Sequence, residues 1–402
     1  RFGIAVAISG DTAVVGADGE DGGGDDMGAA YVLERNQDGA DSWGQVKKLF
    51  GWDSTNYDWF GISVAISGDT VVVGAYGKDG TGNMSGAAYV FERNKGQSAD
   101  YWGQIAKLTA SDAGDGDRFG YSVAISDDTI VVGAPWEQGS AGYDRGSAYL
   151  FTRNEGGADN WGQAKKLLAS DEQNYAYFGY SVAISGDTVV VGAYRDGASD
   201  SERGAAYVFE RNEGGTAENW GEVTKLTASD SASDERFGNA VAISGDTIVI
   251  GAYWEDGWMS DDRGAAYVFE RNDGGADNWG EVKKLLASDT WAGDEFGQSV
   301  AISGDTIVVG AHLEDGADYE RGAAYVYERN VGGGDNWGQV AKLTASDAEN
   351  NDNFGNSVSI SGDTVVVGAY LEDGGSLLNR GAAYVFNLLP YRIYLPLVSS
   401  NN

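Results

Sequence analysis

Six tryptophans, Trp52, Trp59, Trp136, Trp254, Trp258 and Trp291, lie in segments rich in acidic residues, among them Asp115, Asp117, Asp234, Asp256, Asp294, Asp315 and Asp373. Aromatic faces beside carboxylates are equipment for stacking on sugars or anchoring a protein partner. The bland alternative is that the rings cover apolar ends of the fold and the acids form a solvated rim. His312, the only histidine, could serve as a base or a ligand. Metal and triad chemistry need partners at defined spacing that are not evident around it, so a structural or surface role is the expectation. Asp115-Gly116-Asp117 and Asp261-Asp262 could collect calcium adventitiously, although neither completes a calcium-loop pattern. No cofactor is expected. Cysteine is absent from the 402 residues, which removes disulfides and thiolate metal sites.

What must position these side chains is a repeat. Phe-Gly recurs at Phe2, Phe60, Phe119, Phe178, Phe237, Phe296 and Phe354, at intervals of 58 or 59 residues, and Gly-Ala follows about 14 residues after each Phe. A fixed period of this size signals a solenoid, a propeller or an array. In the fourth copy, Phe178 to Ser185 and Asp187 to Tyr194 read as two short β-branched strands, A and B, joined by a glycine turn. An acidic loop leads to strand C, Gly204 to Arg211, and then to strand D, Trp220 to Ala228. Strand B is apolar on consecutive positions, as in a strand covered on both faces, whereas D alternates like an outer edge. Small residues at Gly192-Ala193 and Ala205-Ala206 permit close approach of neighbouring sheets.

Seven such units predict an all-β fold, a seven-bladed β-propeller of four-stranded antiparallel blades. A parallel β-helix is the competing architecture, but its coils are usually shorter and need no antiparallel hairpins. The expected domain is residues 1–386, with blades starting near 1, 59, 118, 177, 236, 295 and 353, followed by a tail over 387–402. Alternating strand direction puts the A-to-B and C-to-D connections on one face and the B-to-C and D-to-A connections on the other. Trp43, Trp102, Trp161, Trp220, Trp279 and Trp337 recur at one place in strand D and read as packing. The other six all fall in B-to-C or D-to-A segments, hence on one face.

The Phe-Gly and Gly-Ala pairs, with Pro135 completing Gly133-Ala134-Pro135, resemble FG-GAP repeats, the propeller units of integrin α-subunit heads and of many bacterial extracellular proteins. The resemblance spans residues 1 to about 386. It implies an extracellular or cell-surface location and leaves function open between adhesion and ligand binding. Several integrin-type repeats carry an Asp-rich calcium loop between strands A and B. Here that link is only Ser-Gly-Asp-Thr, as at Ser185 to Thr188, which offers too few oxygens for calcium. The short turn resembles the compact version of the repeat.

Formal net charge is −35, from 62 acidic and 27 basic residues, which would repel a phosphate backbone, so nucleic acid is excluded as a partner. No run of apolar residues is long enough to span a membrane. The chain opens in mid-motif at Arg1-Phe2-Gly3, which reads as a processed or trimmed end. Arg145, Arg203, Arg263, Arg321 and Arg380 each precede the Gly that opens strand C and are expected to bridge loop carboxylates. Asn83-Met84-Ser85 is a formal glycosylation sequon that decides nothing.

The seventh unit lacks a Trp-Gly strand after Phe386. An open edge recruits another strand, and Tyr391, Ile393, Tyr394, Leu395, Leu397 and Val398 have strand composition. The tail is expected to close its own blade, since pairing within one chain has a high effective concentration. Alternatively, a strand once present before Arg1 closes the ring and the tail is donated to a second copy. The first reading of function is a non-catalytic extracellular structural or adhesive propeller that self-assembles at the cell surface. The second is a glycan- or protein-binding module using the tryptophan-bearing face, and a polysaccharide-active enzyme is third.

Overall fold

A computed structural model describes residues 1–21, 24–37, 39–95, 101–138, 143–157, 160–197, 202–212, 219–255, 262–275, 277–315, 320–334, 336–373 and 380–388. They build seven antiparallel sheets, one per repeat, six in the order A-B-C-D and the seventh in the order A-B-C. Strand A of each blade lies against strand A of the next, the first against the seventh, so the A strands surround a central axis. The molecule is a closed seven-bladed β-propeller.

In the fourth blade, strand A is Ser181–Ser185, B is Thr188–Ala193, C is Ala205–Arg211 and D is Trp220–Leu226. Every residue of strand B is buried, because each blade is sandwiched between two others and a β-branched run suits a strand covered on both faces. Strand D keeps only its first and last residues buried. One extra residue bulges from D opposite Val208 and Phe209, which increases the twist of the outer edge.

Strand A is shorter than the sequence pattern suggests. Phe178 does not extend it; instead Phe178 forms an isolated parallel bridge with Gly146 of the preceding blade, and its N–H donates to Arg145 O at 2.9 Å. The ring of Phe178 turns back into its own blade, 5.4 Å from Tyr207 and 6.0 Å from Phe209. Phe-Gly is therefore the tie between blades. Its backbone enters a slot that only glycines leave open: a Cβ on Gly192 would lie 2.0 Å from Gly238 O, and one on Gly204 would lie 1.9 Å from Phe237 O.

Two further ladders run around the ring. On the axial side of the A-to-B turns, Gly10, Gly68, Asp127, Gly186, Gly245, Gly304 and Gly362 each donate N–H to a serine Oγ of the preceding blade at 3.0–3.2 Å, which closes a complete circle. Toward the rim, Arg271 forks between blades. It contacts Asp246 at 2.8 Å, Glu210 at 2.5 Å and Thr188 at 2.9 Å while lying 4.7 Å from the ring of Trp279. The turn aspartates and the strand-D tryptophans thus belong to one repeated seam. The Arg145 side chain makes the expected bridge, with Glu172 at 2.6 Å.

The first and seventh blades meet through the same contacts as all others, including Phe2 N–H to Arg380 O at 2.9 Å and Ser357 Oγ–H to Gly3 O at 2.9 Å. Among the described residues the seventh sheet has three strands, ending with strand C at Ala382–Asn387. The proposed assembly strand at 391–398 lies outside the described residues.

Gly120 has φ +91, and a Cβ on it would lie 2.2 Å from Ala87 O, whereas Gly68 has φ +54 and open space around it. Gly120→Ala is expected to lower stability by more than ~3 kcal/mol or to prevent folding. Gly68→Ala should cost about 1 kcal/mol, the local left-handed penalty. Urea unfolding of the two variants checks the difference, and equal effects would refute the slot.

Candidate functional site

Three positions per repeat are carried to the axis on the B-to-C and D-to-A face. The first precedes Phe-Gly (Arg1, Trp59, Arg118, Tyr177, Arg236, Glu295, Asn353), the second follows it (Ile4, Ile62, Tyr121, Tyr180, Asn239, Gln298, Asn356), and the third follows the strand-B Gly-Ala (Asp18, Tyr76, Pro135, Tyr194, Tyr253, His312, Tyr370). The turn that presents them is held from both sides. The Arg118 N–H donates to Met84 O of the preceding blade at 3.1 Å, and the Tyr121 N–H donates to Arg118 O at 3.2 Å. This holds Trp59, Arg118, Tyr177, Arg236, Glu295 and Asn353 at φ between +50 and +59, a left-handed conformation that costs about 1 kcal/mol per residue. The fold therefore imposes a backbone at these positions and leaves the side chain free to vary.

Blades two to five fill the mouth with aromatic rings and two guanidiniums. Trp59 stacks on Tyr76 at 5.0 Å. Tyr121 lies 5.1 Å from Trp136 and 5.0 Å from Tyr180, and Tyr180 is 4.2 Å from Tyr194. Arg118 sits over Trp136 at 4.2 Å and Arg236 over Trp254 at 3.5 Å, pairings in which the aromatic face attracts the cation. Blades six, seven and one are polar. Glu295 accepts a hydrogen bond from Trp254 Nε1–H at 3.2 Å and stands 3.6 Å from His312 Nε2. Asn353 Nδ2–H donates to His312 O at 3.2 Å, and Arg1 pairs with Asp18 at 2.9 Å. Burial pushes the Glu295 carboxyl up to about 7 and the His312 imidazole down to about 4, so His312 is neutral at physiological pH.

Of the six tryptophans set apart in the sequence, the five that are described do not form one cluster. Trp59, Trp136 and Trp254 belong to the mouth. Trp52 and Trp291 stand apart on D-to-A loops, 64% and 72% exposed. Trp258, Asp256 and Asp261 lie outside the described residues. Several loop acids serve the backbone: Asp117 accepts from Gly114 N–H at 2.6 Å, Asp294 from Trp291 N–H at 2.6 Å, and Asp115 from Asn83 N–H at 3.1 Å. Among the described residues no group of three or more His, Asp or Glu is placed to hold a metal. Arg118, Arg236, Glu295 and the tyrosines were not singled out by residue type. The available signal was their variation beside an invariant Phe-Gly.

Beneath the mouth, at the blade seams, a second set of acids is buried. The residue two before Phe-Gly faces the acid of the B-to-C loop in blades three, five, six and seven, as Glu235 faces Glu255 and Asp294 faces Glu314. In blade two the partner is Lys78, 3.1 Å from Asp58, with both side chains almost wholly buried. In blade four Ala176 replaces the acid, and Asp196 is left with Tyr207 and Lys225. Burial first, then the neighbouring acid, pushes Glu235 up to about 7 and Asp294 up to about 6. Burial likewise raises Asp352 to about 6. On the rim the balance reverses. Burial alone would raise the Asp230 carboxyl, but Lys284 at 2.7 Å and the Tyr267 hydroxyl at 2.9 Å outweigh it and hold it below the ordinary carboxylate range.

Two shallow depressions, of about 380 and 600 Å³, lie elsewhere. The smaller is lined by Asp128, Arg153 and Asp187 of the blade seam, the larger by Asp196, Arg203 and Lys225. Both are lined in part by the charge ladders that join blades. The axial mouth is the place where side chains outside the ladders converge.

Fold and mouth together define a β-propeller with a side-chain-lined axial face. The chain belongs to the FG-GAP repeat family, whose model matches residues 1–33, 43–91, 102–151, 161–209, 220–269, 279–327 and 337–386. No curated protein matches it. Among solved structures it is similar to Chaetomium thermophilum Sqt1 bound to the N-terminus of the ribosomal protein L10, at a TM-score of 0.51 and 14% identity over 97% of this chain and 85% of that one. Free Sqt1 gives a TM-score of 0.54 at 14% identity, covering 97% and 84%. Pseudomonas aeruginosa periplasmic gluconolactonase, PpgL, gives 0.56 at 12% identity, covering 92% and 91%. At such identities the likeness is one of fold. No helix among the described residues is long and apolar enough to cross a membrane.

The raised acids set a sign for pH dependence. An acid whose folded pKa lies above its unfolded value destabilises the fold when ionised, and the penalty is relieved as pH falls through the folded pKa. Glu235, Glu295, Asp294 and Asp352 all act in this sense between pH 8 and 6, and His312 acts in the opposite one. Stability should therefore rise as pH is lowered from about 8 to about 6, and fall again below about 4 as rim aspartates such as Asp230 protonate. Thermal melts across this range check it. Glu235→Gln should flatten the rise, and a melting temperature that falls steadily from pH 8 downward would contradict it.

Proposed function

We propose that this protein is an extracellular, non-catalytic adhesive propeller that engages a surface glycan or protein through the axial mouth of its B-to-C and D-to-A face. One observation carries the reading. Positions that repeat are committed to joining blades, whereas positions that differ from blade to blade converge at the mouth, where they supply Trp59, Trp136, Trp254, Arg118 and Arg236. Partly buried aromatic and arginine side chains are the groups that dominate binding energetics. Family membership supports the extracellular location, and the peptide-bound Sqt1 is a propeller of similar fold engaged with a protein segment.

A hydrolytic reading has one specific observation in its favour, the Glu295 carboxyl raised to about 7 beside His312, together with the gluconolactonase among the similar folds. We rank it lower because Glu295 is committed to Trp254 and His312, kept neutral by burial, stands 3.6 Å from it, beyond hydrogen-bond distance. Glycoside or lactone turnover that is lost in Glu295→Gln would reverse the ranking. Self-assembly is the remaining element of the proposal: the outer edge of strand C in blade seven is where residues 391–398, from the same chain or another copy, would pair. A protein that stays monomeric at high concentration and forms no fibres by electron microscopy removes self-assembly from the reading.

For the mouth itself, Trp136→Ala and Trp254→Ala are each expected to weaken binding to cells or matrix by at least tenfold, since loss of an interface anchor costs about 2 kcal/mol or more. Melting temperature should change little in Trp136→Ala, whose ring is outside the seam ladders, and somewhat more in Trp254→Ala, which also removes the donor to Glu295 of the next blade. Adhesion that survives both substitutions would refute the mouth as the binding surface.

A further inference from the structure

The ligand class follows from the unspent chemistry of the mouth, an inference that rests on the mouth being the binding surface. Arg118 is a cation in a chain with 62 acidic residues, yet among the described residues no carboxylate pairs with it. Asp144 feels its charge only at longer range, and its described contacts are the faces of Trp136 at 4.2 Å and Tyr76 at 5.6 Å. Arg236 repeats the arrangement two blades on. It lies over Trp254 with one edge on Tyr253 OH at 3.2 Å and on Glu202 at 3.5 Å, and its Nε is buried without a partner. Two indole-backed guanidiniums thus flank the tyrosines of blade four. Arginines on aromatic faces, Arg118 without a carboxylate partner among the described residues and Arg236 with only one edge on Glu202, match in so acidic a protein a ligand that is both anionic and able to stack.

The opposite half of the mouth narrows the class. Asp18 Oδ1, Gln298 Oε1 and His312 Nδ1 are buried and have no hydrogen-bond partner among the described residues, and Asp18 is only 1% exposed. Such atoms are expensive to leave unmatched and mark a place where something else supplies the bonds. An acidic peptide would satisfy the arginines with its carboxylates and could offer backbone N–H donors to Asp18 or Gln298, but its acidic side chains bring no broad apolar face to the indoles. A pyranose offers hydroxyls that both donate and accept, and an apolar C–H face that fits an indole ring.

We propose that the mouth binds an acidic oligosaccharide, with sugar faces on Trp136 and Trp254, carboxylates on Arg118 and Arg236, and hydroxyls on Gln298, His312 and Asp18. The test is calorimetry on the full chain with three probes: an oligogalacturonate, its carboxyl-reduced counterpart, and oligoglutamate of similar charge. The oligogalacturonate should bind, more weakly as salt is raised, and the reduced sugar at least tenfold more weakly. Arg118→Gln should lose about ten- to a hundredfold, the scale of a charge-assisted pair, with an unchanged melting temperature; Arg118→Lys should recover part of that loss. Equal binding of the reduced sugar, tighter binding of oligoglutamate, or no binding of the oligogalacturonate would each overturn the proposal. Adhesion that still depends on Trp136 and Trp254 in those cases would leave the adhesive reading standing, whereas adhesion independent of both would fail that reading as well.

Discussion

The whole ring depends on main chain meeting main chain between blades. At each seam the Phe-Gly backbone of one blade lies against the Gly-Ala of strand B and the glycine before strand C in the blade before it, at separations where a single methyl group would fall 1.9–2.3 Å from a carbonyl oxygen, as at Gly179, Gly192 and Gly204. Dispersion between neighbouring sheets and burial of their branched side chains require this approach. Glycine at three places per repeat permits it. The buried Phe supplies apolar area behind the contact, and the bond from its N–H to the preceding blade fixes the register. Seven equal seams then set seven equal rotations, so the ring closes with the first blade on the seventh as on any other pair.

That constraint divides the labour among residues. Side chains that repeat are needed to complete the seams: the serine circle at the A-to-B turns, the Arg fork over the strand-D tryptophan, and the Tyr–Asp–Lys cluster at the rim. Much of the chain's acidity is absorbed there. Local exceptions are repaired in place. In blade five Ala240 stands where blades two, three, four, six and seven have a serine at the start of strand A whose hydroxyl donates to the Phe-Gly glycine of the next blade, as Ser181 does to Gly238 O at 2.8 Å. There Asn239 Nδ2–H reaches across to Gly297 O at 3.2 Å instead. Blade two puts Lys78 where other blades carry an acid and pairs it with Asp58.

What the seams do not use is carried to the axis. The turn before strand A forces bulky residues into a left-handed backbone and in doing so projects them, with the ends of strand B, around one opening. Their chemistry is lopsided, aromatic and cationic on blades two to five and polar on six, seven and one. A sevenfold scaffold therefore presents an asymmetric surface. Asymmetry of that kind can orient a ligand, whereas a symmetric ring would offer equivalent poses.

Periodicity made the architecture legible from the amino-acid order alone. Seven Phe-Gly units, β-branched strands, glycine turns and a tryptophan-led outer strand dictate a propeller, because local pattern and nearest-neighbour packing repeat together and each copy confirms the others. The sequence also sorted packing tryptophans from the rest. It could not show that Phe178 belongs to a seam rather than to strand A, since that contact joins residues of different blades. Nor could it group Trp59, Arg118, Trp136, Arg236, Trp254, Glu295 and His312, which come from four of the seven repeats and lie up to 253 positions apart in the chain, as the span from Trp59 to His312 shows. Only closure of the ring brings them to one mouth and leaves Trp52 and Trp291 outside it, because distance across the axis is set by how blades stack and not by spacing along the chain.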